Sequence, residues 1–243
     1  QNIGFPMSVL NAAVTEVFNE SNTWLEKELA SGKSVDESLQ SLTLKWIKNC
    51  KPVIFNGDGY SEEWVKEAAA RGLPNLKNTP EALGVLTQKD RISYLTEMGV
   101  FKAEELETRY NVLIEKYVLA REIEYRTQME MVNQYVVPSA LEYKAELLAS
   151  LNASKQAGVD FSIEKELLSM LDQTFQKVYS ECSNLKRALE TVDLDEHVTA
   201  AAKFAEQLMP MSESLANQCN ELEELIPDHL WSLPKYREML FLR

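Results

Sequence analysis

Residues Val53–Leu83 read VIFNGDGYSEEWVKEAAARGLPNLKNTPEAL, and the punctuation of this stretch decides the fold. Gly57 and Gly59 bracket Asp58 in a tight turn where positive φ is cheap. Ser61 is placed to cap a helix over residues 62–71, and Gly72 closes it. A second start follows, with Thr79 as cap and Pro80 at the first helical position. The stretch therefore predicts the end of a helix, a compact loop and two short capped helices. It carries no nucleophile, base or metal cluster, so it organises a fold rather than a reaction.

Working outward, the whole chain holds only 8 Gly and 8 Pro, which favours long helices over the frequent turns of an all-β fold. The expected class is all-α. The first helix enters at Pro6 and ends near Gly32, with Val9, Leu10, Ala13, Val17 and Trp24 as its apolar stripe. Ser34 and Glu37 form a capping box that opens a second helix carrying Leu39, Leu42, Leu44, Trp46 and Ile47, which stops before Pro52.

From Ala103 one long helix is expected, with Leu106, Tyr110, Leu113, Tyr117 and Ala120 as a seam that drifts to Tyr125, Met129, Val132 and Val136. Pro138 removes a backbone donor and crowds the preceding turn, so a kink or break is expected there, with helix resuming to about Gln156 before Gly158. At about 1.5 Å per residue such an element approaches about 80 Å and needs bracing along its length. Two further seams supply the brace. One runs through Ile163, Leu167, Leu171, Phe175, Val178, Cys182, Leu185, Leu189 and Val192. The other runs through Leu194, Val198, Ala201, Ala205, Leu208, Leu215, Cys219, Leu222 and Leu225, with Pro210 as an interior kink and Pro227 as the stop. The architecture predicted is a long kinked helix braced by two further helices in an up-down bundle, preceded by shorter capped helices. The apolar tail from Pro227 to Arg243, with Leu230, Trp231, Leu233, Tyr236, Met239, Leu240 and Phe241, should dock on the fold or on a neighbouring subunit.

Several ordered motifs resemble the C-terminal region of type III glutamine synthetases. The Asn56 turn resembles that family's NGxGYSxEW loop, followed by LxNxxxTPxAL. GVFKAEELETRYNVLIEKYVLAREIEYRTQMEM from Gly99 resembles its long helix, VVPSALEY at Val136–Tyr143 the proline-bearing continuation, and PDHLWSLPKYREMLF from Pro227 the closing segment. NIGFPMSVLNAAVTEVF from Asn2 is similar to the helix that follows the last catalytic strand of glutamine synthetases. The resemblance covers almost all 243 residues. It implies a parent enzyme, glutamate ammonia ligase, that joins ammonia to glutamate through glutamyl phosphate with ATP and Mg²⁺ or Mn²⁺. The residues that hold those groups in the family match no position here, so this segment is expected to be inactive alone, with no catalytic, cofactor-binding or metal residues. It divides into residues 1–51 adjoining the catalytic domain, a 52–102 connector, a 103–226 bundle and a 227–243 tail. Its implied partners are its own catalytic domain and neighbouring subunits of a homo-oligomer.

Bulk properties agree with a folded cytoplasmic protein. With 45% hydrophobic residues a sizeable core can form, and no apolar run approaches the roughly 20 residues that span a bilayer. A net charge of -13 excludes nucleic acid and anionic membrane as partners, because both need clustered cations. Cys50, Cys182 and Cys219 are far apart and odd in number, which reads as buried reduced thiols.

Each remaining chemical candidate has a plain alternative. His197 and His229 stand about thirty residues apart without a helical pairing, and His197 lies in an acidic helix start. The clusters Glu104, Glu105, Glu107 and Glu221, Glu223, Glu224 read as solvated faces before they read as metal sites. The Asn56–Tyr60 turn lacks the spaced ligands of a calcium loop and the lysine of a phosphate loop. Arg121 and Glu124 fall near the long seam, either paired at a contact or rotated into water. Tyr110, Tyr117, Tyr125 and Tyr135 read as core with hydroxyls at its rim. A stand-alone helical interaction module is the alternative function, and a small enzyme built on the acidic clusters ranks below both.

Overall fold

The computed structural model describes residues 3–239, and these form two compact units, Gln1–Val112 and Leu113–Arg243. Among the described residues the secondary structure is helical, without a strand, as the glycine and proline economy of the sequence requires.

The first unit contains α1 (Gly4–Ala30), α2 (Val35–Cys50), α3 (Glu62–Ala70), α4 (Thr79–Gly84), α5 (Lys89–Glu97) and the start of α6 (Ala103–Met131). The capping box at α2 is complete: Glu37 N–H donates to Ser34 Oγ at 3.3 Å, and Ser34 N–H donates to Glu37 Oε2 at 2.9 Å. α3 is capped by Ser61, whose Oγ accepts from Trp64 N–H at 3.2 Å. The cap of α4 is Asn78 rather than Thr79: its Oδ1 accepts from Glu81 N–H at 2.9 Å. Two cap-competent residues stand side by side, and Asn is the stronger of the pair. The core of this unit joins Ala12 to Ile92, Leu95 and Leu106, with Phe5, Val9, Leu86, Tyr94, Met98 and Phe101 around it. Lys89–Glu97, within the expected connector, therefore carries core residues.

The inward face of α1 corrects one expectation. Val9 packs on the core, but Leu10 and Val17, assigned to the same stripe, are exposed. The inward row is Phe5, Val9 and Ala12. Trp46 Nε1 donates to Ser21 Oγ at 3.0 Å, tying α2 to α1, and Lys45 Nζ lies 4.6 and 4.9 Å from the Trp24 and Trp46 ring centres.

In the second unit α6 continues into α7 (Val137–Ala157), followed by α8 (Ser162–Glu190), α9 (His197–Lys203), α10 (Met209–Leu225) and a short α11 (Tyr236–Met239). α8 packs against both α7 and α10, which makes the braced bundle. Neither interior proline breaks its helix. Val132–Val136 and Phe204–Leu208 are π turns, in which Val137 N–H bonds Val132 O and Met209 N–H bonds Phe204 O. A proline one residue beyond each such bond cannot donate and crowds the turn before it, and the wider π turn relieves that crowding.

The bundle core holds Val132, Val136, Ala140, Leu171, Val178, Leu185, Leu189, Phe204, Leu208, Leu215 and Leu222. Tyr125 meets Phe204 edge to face at 5.4 Å, and its hydroxyl donates to Phe204 O at 3.4 Å. A reciprocal pair fixes register between α6 and α10: Gln128 Nε2 donates to Ser212 O at 2.9 Å, and Ser212 Oγ donates to Gln128 Oε1 at 2.6 Å. The α8 seam matches expectation except at Ile163, which is exposed. On α6, Ile114 and Val118 are buried where Leu113 and Tyr117 were expected, one position along.

Gly158 ends α7 at φ 69°, with space around its Cα. Gly158→Ala should therefore lower stability through backbone strain alone, by about 1 kcal/mol in a urea titration. Trp231 is buried, and Lys235 Nζ lies 2.6 Å from Asp228 Oδ1 and 3.4 Å from Glu223 O, a cation at the C-terminal end of α10. Leu240 and Phe241 lie outside the described residues.

Candidate functional site

The turn quoted first is held by its own side chains. Tyr60 N–H donates to Asp58 Oδ1 at 2.9 Å and Ser61 Oγ donates to Asp58 O at 2.9 Å, so Asp58 closes the turn upon itself. Phe55 stacks on Trp64 with ring centres 4.2 Å apart, and the Phe55 ring also lies against Gly57, where a Cβ would stand 2.4 Å from it. Arg71 pins the segment from the far end of α3. Its guanidinium donates to Ile54 O at 2.8 Å and Pro52 O at 3.0 Å, pairs with Glu67, and lies 5.3 Å from the Trp64 ring centre. Tyr60 is fully solvent-exposed. Asp58 and Ser61 hold its shape.

Arg71→Met should free the 52 and 54 carbonyls and destabilise the clasp by about 1–2 kcal/mol. Hydrogen exchange of the Ile54–Ser61 amides should rise several-fold, with α1 amides unchanged.

The other candidates lie apart. Among the described residues no group of three His, Cys, Asp or Glu comes together as a metal cradle. Glu105 Oε2 accepts from Lys102 N–H at 2.8 Å, a helix-start contact at α6, and Gln218 Nε2 donates to Glu221 Oε1 at 3.4 Å. His229 Nε2 lies 3.9 Å from Glu146 Oε1, both exposed, and half-buried His197 begins α9. Arg121 and Glu124 pair with each other at 2.6 Å, and the Arg121 guanidinium lies 5.8 Å from the Tyr117 ring centre. Tyr125 alone of the tyrosine series is fully buried, whereas Tyr135 is exposed.

Perturbed carboxylates follow the same pattern. Glu37 is held below the usual range by the Ser34 backbone N–H and then its hydroxyl, Asp160 by the Ser162 hydroxyl, and Glu164 by its own backbone N–H and Ser154. Each serves a cap or turn. Burial raises the Cys182 thiol and pushes Cys219 up to about 12. Cys50 is exposed, against the expectation of three buried thiols, because it closes α2 at the surface. Sequence reasoning missed two organising residues. Arg71 reaches carbonyls 17 and 19 positions away, and Arg109 lies 5.0 and 5.2 Å from the Phe5 and Phe101 ring centres.

Fold and site together define a helical scaffold in which Ser34, Glu37, Asp58, Ser61, Arg71 and Asn78 serve caps and turns. Residues 38–155 match the family model of the glutamine synthetase C-terminal domain. The chain is 32% identical to a glutamine synthetase of Bacteroides fragilis over 99% of its own length, and 30% identical to one of Butyrivibrio fibrisolvens over 89%. It is also 30% identical to a type-3 glutamine synthetase of Dictyostelium discoideum over 100% of its length. The chain belongs to the glutamine synthetase family and corresponds to the C-terminal, helical portion of its type III members. It spans about a third of the length of the curated relatives it matches: 34%, 33% and 34%.

Proposed function

We propose that this chain is the non-catalytic scaffold of a larger type III glutamine synthetase, a cytoplasmic enzyme that ligates ammonia to glutamate with ATP and Mg²⁺ or Mn²⁺. In this reading residues 1–51 adjoin the catalytic part and 52–102 connect. Residues 103–226 form the bundle that shapes a homo-oligomer, and 227–243 dock on the fold or a neighbouring subunit. The observation that carries it is the match of the chain along its whole length to about a third of each of these synthetases. The segment supplies no groups for ATP or metal. A stand-alone interaction module is less favoured, because the relatives share this region as one part of a synthetase. The test is deletion of Ala103–Arg243 from the intact enzyme, followed by light scattering and assay. A smaller assembly supports the proposal; unchanged mass and activity refute it.

A further inference from the structure

The bundle brings two cysteines that are distant in sequence to one helix crossing. Cys182 lies on the α8 seam between Val178 and Leu185, and Cys219 on the α10 seam between Leu215 and Leu222. Those four neighbours are fully buried, and α8 packs against α10. The height of each cysteine along the bundle follows from contacts with α6 and its π turn. Tyr125 meets Phe204 and Gln128 meets Ser212, so α6 and α10 run in the same direction. Asn133 stands five residues beyond Gln128, and Cys219 seven beyond Ser212. At about 1.5 Å per residue, Cys219 is within about 3 Å of the level of Asn133. Asn133 Nδ2 donates to Cys182 Sγ at 3.9 Å, which sets Cys182 at the same level. Packed helices with axes about 8–10 Å apart bring facing Cα atoms to about 4–6 Å, the span that a disulfide bridges. Burial raises both thiols, and at Cys219 a charge on Cys182 adds to it, as expected of neighbouring sulfurs.

We propose that Cys182 and Cys219 form a dithiol oxidation site, which hydrogen peroxide converts to a disulfide that locks α8 to α10. This stands apart from the synthetase reading and does not depend on it. Cys219 keeps part of its surface in water while Cys182 is buried, so Cys219 meets the oxidant and Cys182 completes the bond. In the first step the Cys219 sulfur attacks the peroxide; an S–O bond forms, the O–O bond breaks, and the thiol proton leaves with the departing oxygen as water. In the second the Cys182 sulfur attacks that sulfenic sulfur; the S–S bond forms, the S–O bond breaks, and the second thiol proton leaves with the hydroxyl as water. Both sulfurs are oxidised and both peroxide oxygens reduced. The thiols stay protonated at neutral pH and are slow nucleophiles, so the site answers sustained oxidant rather than a brief pulse. Cys50 belongs to the first unit, which contains no other cysteine.

The test treats the full protein with hydrogen peroxide at neutral pH, blocks remaining thiols with iodoacetamide and maps the peptides by mass spectrometry without reduction. A linked Cys182–Cys219 peptide, two hydrogens lighter than its parts, should be at least tenfold more abundant than any link to Cys50 and should disappear with dithiothreitol. Recovery of Cys182 and Cys219 unlinked, as thiols or as sulfinic acids, would overturn the proposal. So would the same mixture of pairings from native protein as from protein unfolded in urea, because the fold would then not select the pair. Cys50→Ser adds a second reading. It should leave the link unchanged, and loss of the link there would overturn direct closure between the two seams. The linked protein should melt several degrees above its reduced form, because the bond restricts the unfolded chain. A lower midpoint would show that the bond forms only by displacing α8 from α10, against the proposal.

Discussion

Phe204→Ala should destabilise the bundle by about 3–5 kcal/mol, the largest effect expected of any single substitution in the chain. Phe204 is fully buried, and its ring is the partner of the Tyr125 edge-to-face contact. It sits at the start of a π turn, where its carbonyl already accepts from Met209 N–H and from the Tyr125 hydroxyl. That fixed backbone limits how far the neighbours can collapse into the space left by the ring, so the loss should exceed the transfer energy of the removed atoms. Urea titration followed by far-ultraviolet circular dichroism would read it as a lower midpoint at constant slope. Val198→Ala, at an exposed position near the start of α9, is the control and should stay within about 0.5 kcal/mol. A Phe204→Ala loss of under about 1 kcal/mol would mean that the ring is not part of a packed core.

Alkaline pH should destabilise the second unit progressively between about pH 9 and 12. Burial pushes both the Tyr125 phenol and the Cys219 thiol up to about 12, and raises the Cys182 thiol as well. Each is an acid that is neutral when protonated and whose folded value lies above its ordinary one. Between the ordinary value and the folded value, the unfolded chain has released the proton while the folded chain retains it. The unfolded state then binds fewer protons, so stability falls as pH rises. The stability contributed by these neutral groups is fully present below about pH 9, and is lost progressively between about pH 9 and 12. Each retained proton removes about 1.4 kcal/mol per pH unit across its window. Tyr125→Phe keeps the ring against Phe204 and removes one titrating group. Its alkaline limb should be shallower than that of the parent chain, while its loss at neutral pH stays below about 1 kcal/mol for a hydrogen bond as long as 3.4 Å. Identical limbs in the two proteins would show that Tyr125 does not couple ionisation to unfolding.

The sequence was most legible where a residue acts on its immediate neighbours. Ser34 with Glu37, Ser61, Gly72 and Gly158 are local devices, and each stands where its chemistry puts it. The α8 seam was legible because one long helix with one buried face imposes a single period. α1 was misread because apolar residues lie on both of its faces, and periodicity cannot say which one turns inward. The α6 seam was misplaced by one position because the helix contributes Leu106 to the core of the first unit, while Ile114, Val118 and Tyr125 belong to the second. No single drift rule spans both tasks. Phe204 escaped notice because the π turn shifts the phase of the pattern by a residue within the third seam. The Asn56–Tyr60 loop was recognisable as a turn from Asp58 and Ser61. The Arg71 clasp was not, because nothing local signals a guanidinium aimed at distant carbonyls.

The central claim is that these residues build scaffold, and that bond-making groups belong to other parts of the synthetase. Phosphate release by the purified 243-residue chain, supplied with ATP, Mg²⁺, ammonium and glutamate, tests it most directly. The account predicts no release above the rate of a protein-free control, with glutamine undetectable in the same tube. Sustained turnover that forms glutamine in step with phosphate would contradict it.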